Sequence, residues 1–534
     1  MDNRYCQLIL ELCPRIISNL DRDADSPTYG SFDRHFWLYH TTDFSNAILQ
    51  QSGLTLALVY LNDFPGNLYF QRPPIKEWAL AAVDYWGKIQ HHDGSFDEYW
   101  LNERGLPPTV FSTFAVSETV RLLGLTDKQT LWRFKKAADF LGKNKETFAS
   151  NQEAASVAAL YSVYLTTKDE KILKTFLAKL DGLKELQSAE GFFFEQNGAD
   201  AGYLSTAINY LAWVYKMSGN KQAKEMADRA LEFFSYLVQP DGSVGGEYGS
   251  RNTEYFLPFG FKALAASNSL AAAVLKKVES YVFSSPFNFP VDDHYLLHYL
   301  GPSYALALAE TSAAVAEPEP ELPFQKKLIK HFPEAGLLVV SQPGVYWLIN
   351  FKKGGVFKLY SHGRLLANDL GYRLKLKNGK MLFSEYGYEK VVYNLKATAP
   401  LVLEIKKFFS PKSYILLSPL KRFAIYFCSL ILGRGFRKLV KQAILQKSKI
   451  SSYQLIRKIT LAGNLIVIAD KILPSLGQEK LIRANSQSIK VIPSAKFFQI
   501  TELDNKIRRA IINQPPAVIE TTIDLERDEV KVNY

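Results

Sequence analysis

Three stretches of the sequence carry the same glycine turn: HHDGSFDEYW at 91–100, QSAEGFFFEQ at 187–196 and QPDGSVGGEY at 239–248. Their glycines, Gly94, Gly191 and Gly242, are 97 and 51 residues apart. A repeat of about 50 residues therefore predicts a fourth turn near Gly142, in FLGKNKETF. A repeat of this length is typical of stacked helical hairpins, which bury their apolar faces only against neighbouring hairpins.

The segments between the turns have helical periodicity. Residues 154–166, 204–217 and 221–237 place apolar side chains at i, i+3 and i+4, which predicts amphipathic helices. We therefore predict an incomplete (α/α) toroid of helical hairpins over residues 1–312.

The pattern changes at AAVAEPEPELPF, residues 313–324, where Pro and Glu alternate and neither helix nor strand can continue. Beyond it, β-branched and aromatic runs are separated by Gly, Asn and Pro, which is typical of antiparallel strands. Examples are AGLLVVSQPGVYWLINFKK, GGVFKLYSH, APLVLEIKKFFS, LIVIADKIL and AVIETTIDL. The sequence thus predicts a linker at 313–326 and an antiparallel β-sandwich domain at 327–534.

The formal net charge of +11 is unevenly divided. Residues 1–320 contain 28 Lys and Arg against 38 Asp and Glu, a net of −10, which leaves a net of +21 for residues 321–534. Such a basic field attracts polyanions, whether acidic glycans, lipid headgroups or nucleic acid. The basic and apolar segment 421–449 has three interpretations: contact with a membrane interface, a long strand pair, or a helix packed on the sandwich.

Several kinds of site have no signal in the sequence. The three cysteines are scattered, and no dinucleotide or phosphate-binding glycine pattern follows a predicted strand, so neither a metal nor a cofactor is predicted. The first residues carry Asp2, Arg4, Glu11 and Arg15 within their apolar pattern, which a secretory signal does not tolerate. We expect a cytoplasmic protein, associated with a membrane if the segment 421–449 binds an interface.

Polar residues recur about nine to twelve positions after each turn glycine. These positions hold Asn102 and Glu103, Asn151 and Glu153, Tyr203, and Arg251 and Asn252. We predict that each set begins a helix, so that they converge on one rim of the toroid. The alternative is that they are helix N-caps, Asn102 and Asn151 especially.

Two regions resemble known polysaccharide lyases. EGFFFEQNGADAGYLSTA, at 190–207, is similar to the segment of hyaluronate and chondroitin lyases in which a DGSF-type turn precedes the catalytic tyrosine. HFPEAGLLVV, NDLGYRLKLKNGK and NLIVIADKI, at 331–340, 368–380 and 464–472, resemble the start, centre and end of the β domain of heparinase II/III-like proteins.

The resemblance implies a site for β-elimination. Tyr203 would remove the C5 proton or protonate the leaving oxygen, Asn151 would neutralise a uronate carboxylate, and Arg251 would hold the sugar acid. These residue types suit the chemistry, because a proton α to a carboxylate is lost only when the charge of the enolate-like transition state is stabilised. A tyrosine with an ordinary pKa near 10 also needs a neighbouring cation to favour its phenolate.

The sequence departs from the lyases at their histidines. Glu195 and Gln196 stand where the lyases have a histidine before the tyrosine, and Ala367 aligns with a histidine of the heparinase β domain. We therefore consider His362 and His294 as alternative catalytic groups. The predicted substrate contacts are Asn102, Glu103, Glu195, Gln196, Asn252, Glu254 and His298.

The sequence predicts a lyase-like protein that binds an acidic polysaccharide or oligosaccharide, and no nucleic acid. Its missing histidine leaves three alternatives open: a uronate epimerase, a glycoside hydrolase, or a non-catalytic glycan-binding protein of a surface-polysaccharide pathway. A hydrolase would need paired carboxylates. The candidates are Glu103, Glu153, Asp200, Glu254, Asp292 and Asp293. No oligomeric state is predicted.

Overall fold

The helices come first along the chain. The computed structural model describes residues 3–39, 41–125, 127–285, 288–289, 291–311, 320–388, 390–412, 418–441, 450–485, 499–513 and 515–534. The helices of the first region are α1 (Asn3–Asn19), α2 (Arg34–Trp37), α3 (Ser52–Leu61), α4 (Pro73–Lys88), α5 (Leu106–Leu123), α6 (Lys128–Lys143), α7 (Ser150–Thr167), α8 (Glu170–Lys184), α9 (Ala201–Ser218), α10 (Lys221–Ser235), α11 (Phe259–Ala265), α12 (Ser269–Val282) and α13 (Leu296–Ala309). The three helices predicted from periodicity are confirmed as α7, α9 and α10.

Every second helix lies in an inner layer. Helices α3, α5, α7, α9, α11 and α13 contact one another in that order, and α13 also contacts α3, which brings the two ends of the row together. The outer helices are more amphipathic: α10 buries Met226, Ala230 and Phe234 on the face that packs against the inner layer. Inner helices such as α7 are buried on nearly all sides, because they pack between the outer layer and their neighbours in the ring. The predicted (α/α) toroid is confirmed.

The turn glycines have one structural role. Gly94, Gly191 and Gly242 have φ of +90°, +103° and +95°, and a Cβ on any of them would lie within 2.6 Å of a carbonyl oxygen in a following outer helix. Glycine is therefore required both by the backbone conformation and by the close approach. The fourth turn glycine is not Gly142, which lies inside α6. It is Gly30 (φ +90°) in YGSF, so the repeat begins earlier along the chain than its spacing predicts.

We expect Gly94→Ala to destabilise the toroid strongly. Its Cβ would lie 2.2 Å from the Lys136 carbonyl oxygen, so the turn must separate from α6. Gly124→Ala is the matched control: Gly124 has φ of +71°, and the space that its Cβ would enter is open. The control should lose about 1 kcal/mol from the left-handed backbone alone, and Gly94→Ala at least about 2 kcal/mol more. Equal denaturant midpoints for the two variants would contradict the packing role of the turn.

The strands of the second region form three antiparallel sheets. Their orders are β1-β2-β3-β4-β5, β10-β7-β6-β13-β14 and β16-β15-β12-β11-β9-β8. The strands are β1 (Leu328–Phe332), β2 (Leu337–Gln342), β3 (Val345–Asn350), β4 (Val356–Ser361), β5 (Arg364–Asp369), β6 (Tyr372–Lys375), β7 (Met381–Phe383), β8 (Val391–Lys396), β9 (Leu401–Phe408), β10 (Ser410–Pro411), β11 (Gln454–Ala462), β12 (Leu465–Leu473), β13 (Lys480–Arg483), β14 (Ala510–Ile512), β15 (Ile519–Asp524) and β16 (Glu529–Asn533). The predicted antiparallel strands of this region are confirmed.

The first sheet is buried on both faces. On β2, Leu337 and Val339 join the core of the toroid, whereas Leu338 and Val340 join the core shared with the six-stranded sheet. Successive side chains of a strand point to opposite faces, so a strand covered on both sides needs a continuous apolar run. This explains the unbroken sequence LLVV, and it fixes the β domain against the toroid.

An ion cluster holds the three sheets together. Arg457 donates to both oxygens of Asp470 (2.7 and 2.8 Å) and to Asp369 (3.2 Å), and Arg483 donates to Asp369 at 2.8 Å. All four side chains are buried, and the two arginines hold the pKa of the Asp369 carboxyl below its usual range against the effect of burial. The Asp369 carboxylate is therefore held by buried ion pairs. Ala367, two residues earlier in β5, is fully buried.

The segment predicted at 421–449 is helical where it is described. It forms α14 (Pro419–Leu432) and α15 (Arg434–Lys441), which excludes a strand pair there, while 442–449 lie outside the described residues. None of the described helices is long and apolar enough to cross a membrane. The linker at 313–326 stays a prediction, because 312–319 also lie outside the described residues.

Candidate functional site

The site is organised by one carboxylate at the start of α9. Asp200 is the N-cap residue of this helix, and its Oδ1 accepts the Tyr203 backbone N–H at 3.4 Å. The same carboxylate accepts the backbone N–H groups of Arg251 (2.8 Å) and Thr253 (3.3 Å) as well as the Thr253 hydroxyl. Asp200 therefore ties the first turn of α9 to the loop before α11.

This tie brings Arg251 to Tyr203. The guanidinium carbon of Arg251 lies 5.4 Å from the centroid of the Tyr203 ring. Arg251 is buried and Tyr203 is partly exposed, so the cation lies behind a phenol that reaches solvent. A cation at this distance from the ring makes a cation–π contact.

Asn151 lies next to this pair through Glu195. The Asn151 side chain donates to Glu195 Oε1 at 2.6 Å, and its backbone N–H donates to the same oxygen at 2.8 Å. Burial raises the pKa of Glu195 to about 8, although the Arg251 charge acts in the opposite direction. Within the described part of the chain, the buried atoms Glu195 Oε2 and Asn151 Oδ1 have no hydrogen-bond partner. The pair therefore holds one carboxyl oxygen and one amide oxygen that are buried without a protein partner among the described residues.

A group of tyrosines surrounds Tyr203. The ring of Tyr255 packs edge-on against Tyr203 with centroids 5.9 Å apart, and Tyr299 packs against Tyr255 at 5.6 Å. Burial raises the pKa of Tyr99 and Tyr295, and the charges of Glu98 and Tyr203 act on both in the same direction. Tyr99 is nevertheless 44% exposed, so the group reaches the protein surface, and we call it the candidate cleft.

The β domain completes one side of the cleft. The loop after β7 lies near Arg251. Burial raises the pKa of Tyr386 in this loop, and the charge of Arg251 acts on it in the opposite direction. A Cβ on Gly198 would lie 2.6 Å from the hydroxyl oxygen of Tyr388, so the Glu195 loop is held against the same β-domain segment. Lys353 donates to Asn252 Oδ1 at 2.8 Å and to the carbonyl oxygens of residues 247 and 249.

The predicted helix-start positions are only partly correct. Asn151 and Tyr203 lie in the first turns of α7 and α9, but Arg251 lies in the loop eight residues before α11 begins at Phe259. Asn102, with φ of +60°, and Glu103 also precede their helix, which begins at Leu106. The N-cap alternative is wrong for both asparagines, since the N-cap residues of α5 and α7 are Gly105 and Ala149.

The other predicted substrate contacts mostly have local partners. Glu103 Oε2 accepts the backbone N–H groups of Glu98 (3.0 Å) and Tyr99 (2.8 Å), which shapes the loop carrying Tyr99. Glu254 is buried against Lys358 (3.2 Å), and burial raises its pKa to about 7. Gln196, next to Glu195, is partly exposed, with φ of +52°.

The structure places the three candidate histidines in different surroundings. His298 is fully buried between the Ser52 hydroxyl (2.7 Å) and the Asp293 carbonyl (3.1 Å), and burial lowers its pKa to about 4. His294 is exposed, 2.6 Å from His35 between ring nitrogens, and precedes the cleft residue Tyr295.

His362 lies in the β4–β5 turn. It is exposed there, and its backbone N–H donates to the Gly344 carbonyl oxygen at 2.7 Å. The structure therefore gives His362 a place in a turn of the β domain.

The residues that sequence reasoning missed are those that position the others. The sequence marks Asp200 only as a hydrolase carboxylate, although its place before the apolar run of α9 is a typical N-cap signal. Tyr99, Tyr295, Tyr386 and Lys353 come from separate repeats or from the β domain, and only the tertiary structure brings them together. No group of three or more His, Cys, Asp or Glu among the described residues is arranged to hold a metal ion.

Comparison with known proteins gives a clear answer for the fold. No family profile and no curated protein matches the sequence. Among solved structures, xanthan lyase from Paenibacillus is similar over 90% of this chain and 46% of its own, with 11% identity and a TM-score of 0.53. Chondroitin AC lyase from Streptomyces coelicolor A3, in complex with chondroitin sulphate, is similar over 89% of this chain and 67% of its own, with 12% identity and a TM-score of 0.53.

The fold is that of the α/α-toroid polysaccharide lyases. The likeness spans both the toroid and the β domain, so the order of the two regions is shared. The chain spans about half the length of the xanthan lyase and two thirds of the chondroitin lyase. The resemblance inferred from the turn and β-domain motifs is confirmed at the level of the fold.

We expect Asp200→Asn to loosen the site as a whole. The amide that replaces one acceptor oxygen would face backbone N–H groups of Arg251 and Thr253, so at least one donor would lose its acceptor. The expected loss is about 1 to 3 kcal/mol in the free energy of unfolding, measured by urea denaturation. Asp169→Asn, at the N-cap of α8 on the toroid surface, is the matched control and should cost less than about 1 kcal/mol. A smaller loss for Asp200→Asn than for the control would contradict its role.

Proposed function

We propose that this protein catalyses β-elimination at the uronate residues of an acidic polysaccharide or oligosaccharide. The observation that carries the proposal is the stacking of Arg251 behind Tyr203 beside the buried pair of Asn151 and Glu195. These four groups are the parts that the reaction needs: a proton-transfer group, a cation, and neutral donors for the substrate carboxylate. The β domain packs against one side of this group.

Glu195 takes the place of the missing histidine. With its pKa raised to about 8 by burial, it is protonated at neutral pH and adds no negative charge to the site. Its Oε2 would then carry the proton and donate a hydrogen bond to a uronate carboxylate. The Asn151 amide and the Arg251 charge would share in this neutralisation, which lowers the energy of the enolate-like transition state.

Tyr203 is the group that moves the proton. As a phenolate stabilised by Arg251, it accepts the C5 proton, and the C–H electron pair forms the C4–C5 double bond. The bond between C4 and its glycosidic oxygen breaks, and the leaving oxygen takes up a proton from the tyrosine. One product therefore gains a conjugated double bond and the other a free hydroxyl group, and no water is consumed.

Tyr203→Phe should abolish this reaction. Removing the hydroxyl removes the proton acceptor, so kcat should fall by at least about 100-fold. The measurement is the ultraviolet absorbance of the conjugated uronate, on a panel of uronate polymers. The control is Tyr215→Phe, at the other end of α9, which should keep full activity. Full activity of Tyr203→Phe would refute the proposed role, and a panel without any absorbance change would refute the reaction itself.

The pH dependence provides a separate test through Glu195. Above about pH 8 this group ionises, and its charge would repel the uronate, so KM should rise. Glu195→Gln keeps the acceptor for Asn151 and stays neutral, so its KM should lack this alkaline rise. An identical rise in both proteins would remove Glu195 from the site.

The same substitution should change stability in a defined window. The folded pKa of Glu195 lies above the usual value of 4.5, so the folded state holds the proton between pH 4.5 and about 8. Stability therefore falls as pH rises through this window, by roughly 1.4 kcal/mol per pH unit for this one group. Urea denaturation of Glu195→Gln should show a shallower decline than the unmodified protein.

Hydrolysis has less support from the residues of the cleft. Each of the six carboxylates considered for it already has a structural partner: Lys358 for Glu254, Lys179 for Glu153, Thr253 for Asp200, Arg15 for Asp293, and backbone N–H groups for Glu103 and Asp292. Hydrolysis would appear in the same assay as new reducing ends without a change in absorbance.

A further inference from the structure

Helix α14 presents an unusual surface. Seven of its large apolar residues are between 41% and 77% exposed: Leu420, Phe423, Tyr426, Phe427, Leu430, Ile431 and Leu432. The first six recur at helical spacings of three and four residues, so they form one stripe along the helix. Monomeric proteins seldom expose contiguous apolar stripes of this size unless the stripe binds something.

The opposite side of α14 is attached to the toroid. Ser429 is its one fully buried residue among those described, and its hydroxyl donates to the Leu101 carbonyl oxygen at 2.9 Å. The ring of Phe436, on α15, packs edge-on against Trp100 with centroids 6.5 Å apart. The helix pair is therefore held to the loop at 99–103, and the apolar stripe of α14 points away from it.

The segment that carries the stripe has charges of one sign. Residues 418–441 contain six Lys and Arg and no Asp or Glu. Lys421 and Arg422 are exposed in the first turn of α14, at the edges of the apolar stripe. Aromatic and aliphatic side chains bordered by basic residues are the pattern of a helix that lies in a membrane interface.

We propose that α14 and α15 dock this protein on a bilayer that contains anionic lipid. The apolar stripe would insert among the acyl chains below the headgroups, and Lys421 and Arg422 would pair with lipid phosphates. A bilayer fits this surface better than a protein partner does. The described residues of the stripe are apolar and the charged residues of the segment are all basic. Among the described residues, the stripe has neither a pocket nor a row of hydrogen-bonding groups that would recognise a protein. Because lipid phosphates are anionic, each basic residue near the surface adds to the attraction.

Docking would also orient the cleft. The loop that holds α14 carries Tyr99 and continues into Asn102 and Glu103, so the helix pair stands at the rim of the candidate site. A glycan that reaches this rim would come from the membrane surface. The lipid contact does not depend on the reaction at Tyr203, so the two proposals can fail separately.

Co-sedimentation with vesicles tests the docking. The full chain should bind vesicles of phosphatidylcholine with phosphatidylglycerol, bind phosphatidylcholine alone much more weakly, and lose affinity as salt rises. Phe423→Ser with Phe427→Ser removes the centre of the stripe and should weaken binding at least about tenfold. Leu68→Ser with Leu177→Ser, which changes two exposed apolar residues of the toroid, is the matched control and should bind normally.

Three results would overturn the proposal. One is no binding to either kind of vesicle at low salt. Another is binding that the Phe423 and Phe427 substitutions leave unchanged. The third is a dimer in light scattering that these substitutions abolish while vesicle binding is absent, because the stripe would then be covered by a second copy of the chain.

Discussion

The candidate site depends on the Asp200 carboxylate. A helix N-terminus leaves backbone N–H groups without partners inside the helix, and Asp200 satisfies one of them at Tyr203. Its other oxygen accepts from Arg251 and Thr253, which belong to the next repeat. The relative position of the tyrosine and the arginine is thus set by backbone hydrogen bonds and not by their own flexible side chains. This makes the pair preorganised, which is the condition for electrostatic stabilisation of a transition state.

The second constraint is the sheet that both domains bury. Because β2, β3 and β4 are covered on both faces, the β domain cannot shift without exposing apolar surface on the toroid. Lys353 lies just beyond the end of β3 and is held in place by this packing. Its buried ammonium group donates hydrogen bonds to the loop at 247–252 that carries Arg251. The loop that holds the cation is therefore shaped from both domains, even though its sequence belongs to the toroid.

What is periodic and local could be predicted from the sequence. Helical stripes, turn glycines with positive φ, and apolar strand runs each have a direct physical cause in the segment itself. The toroid and the β domain can therefore be predicted from these local patterns. The repeat spacing wrongly places Gly142 in a turn, because a count of residues cannot distinguish a turn glycine from one inside α6, where an added Cβ would lie 2.7 Å from Thr175. The choice between histidines could not be made either, since burial separates them: His298 is a core residue and His362 a turn residue, and neither environment is visible in the spacing.

Replacing a histidine with a glutamate changes how a site meets an anionic sugar. A histidine near neutral pH can carry positive charge, whereas a carboxyl group can only be neutral or negative. Glu195 suits an anion only in its neutral form, and burial beside Asn151 supplies that form by raising its pKa. For the proposed elimination, the positive charge beside the tyrosine would then come from Arg251, whose guanidinium carbon lies 5.4 Å from the centroid of the Tyr203 ring.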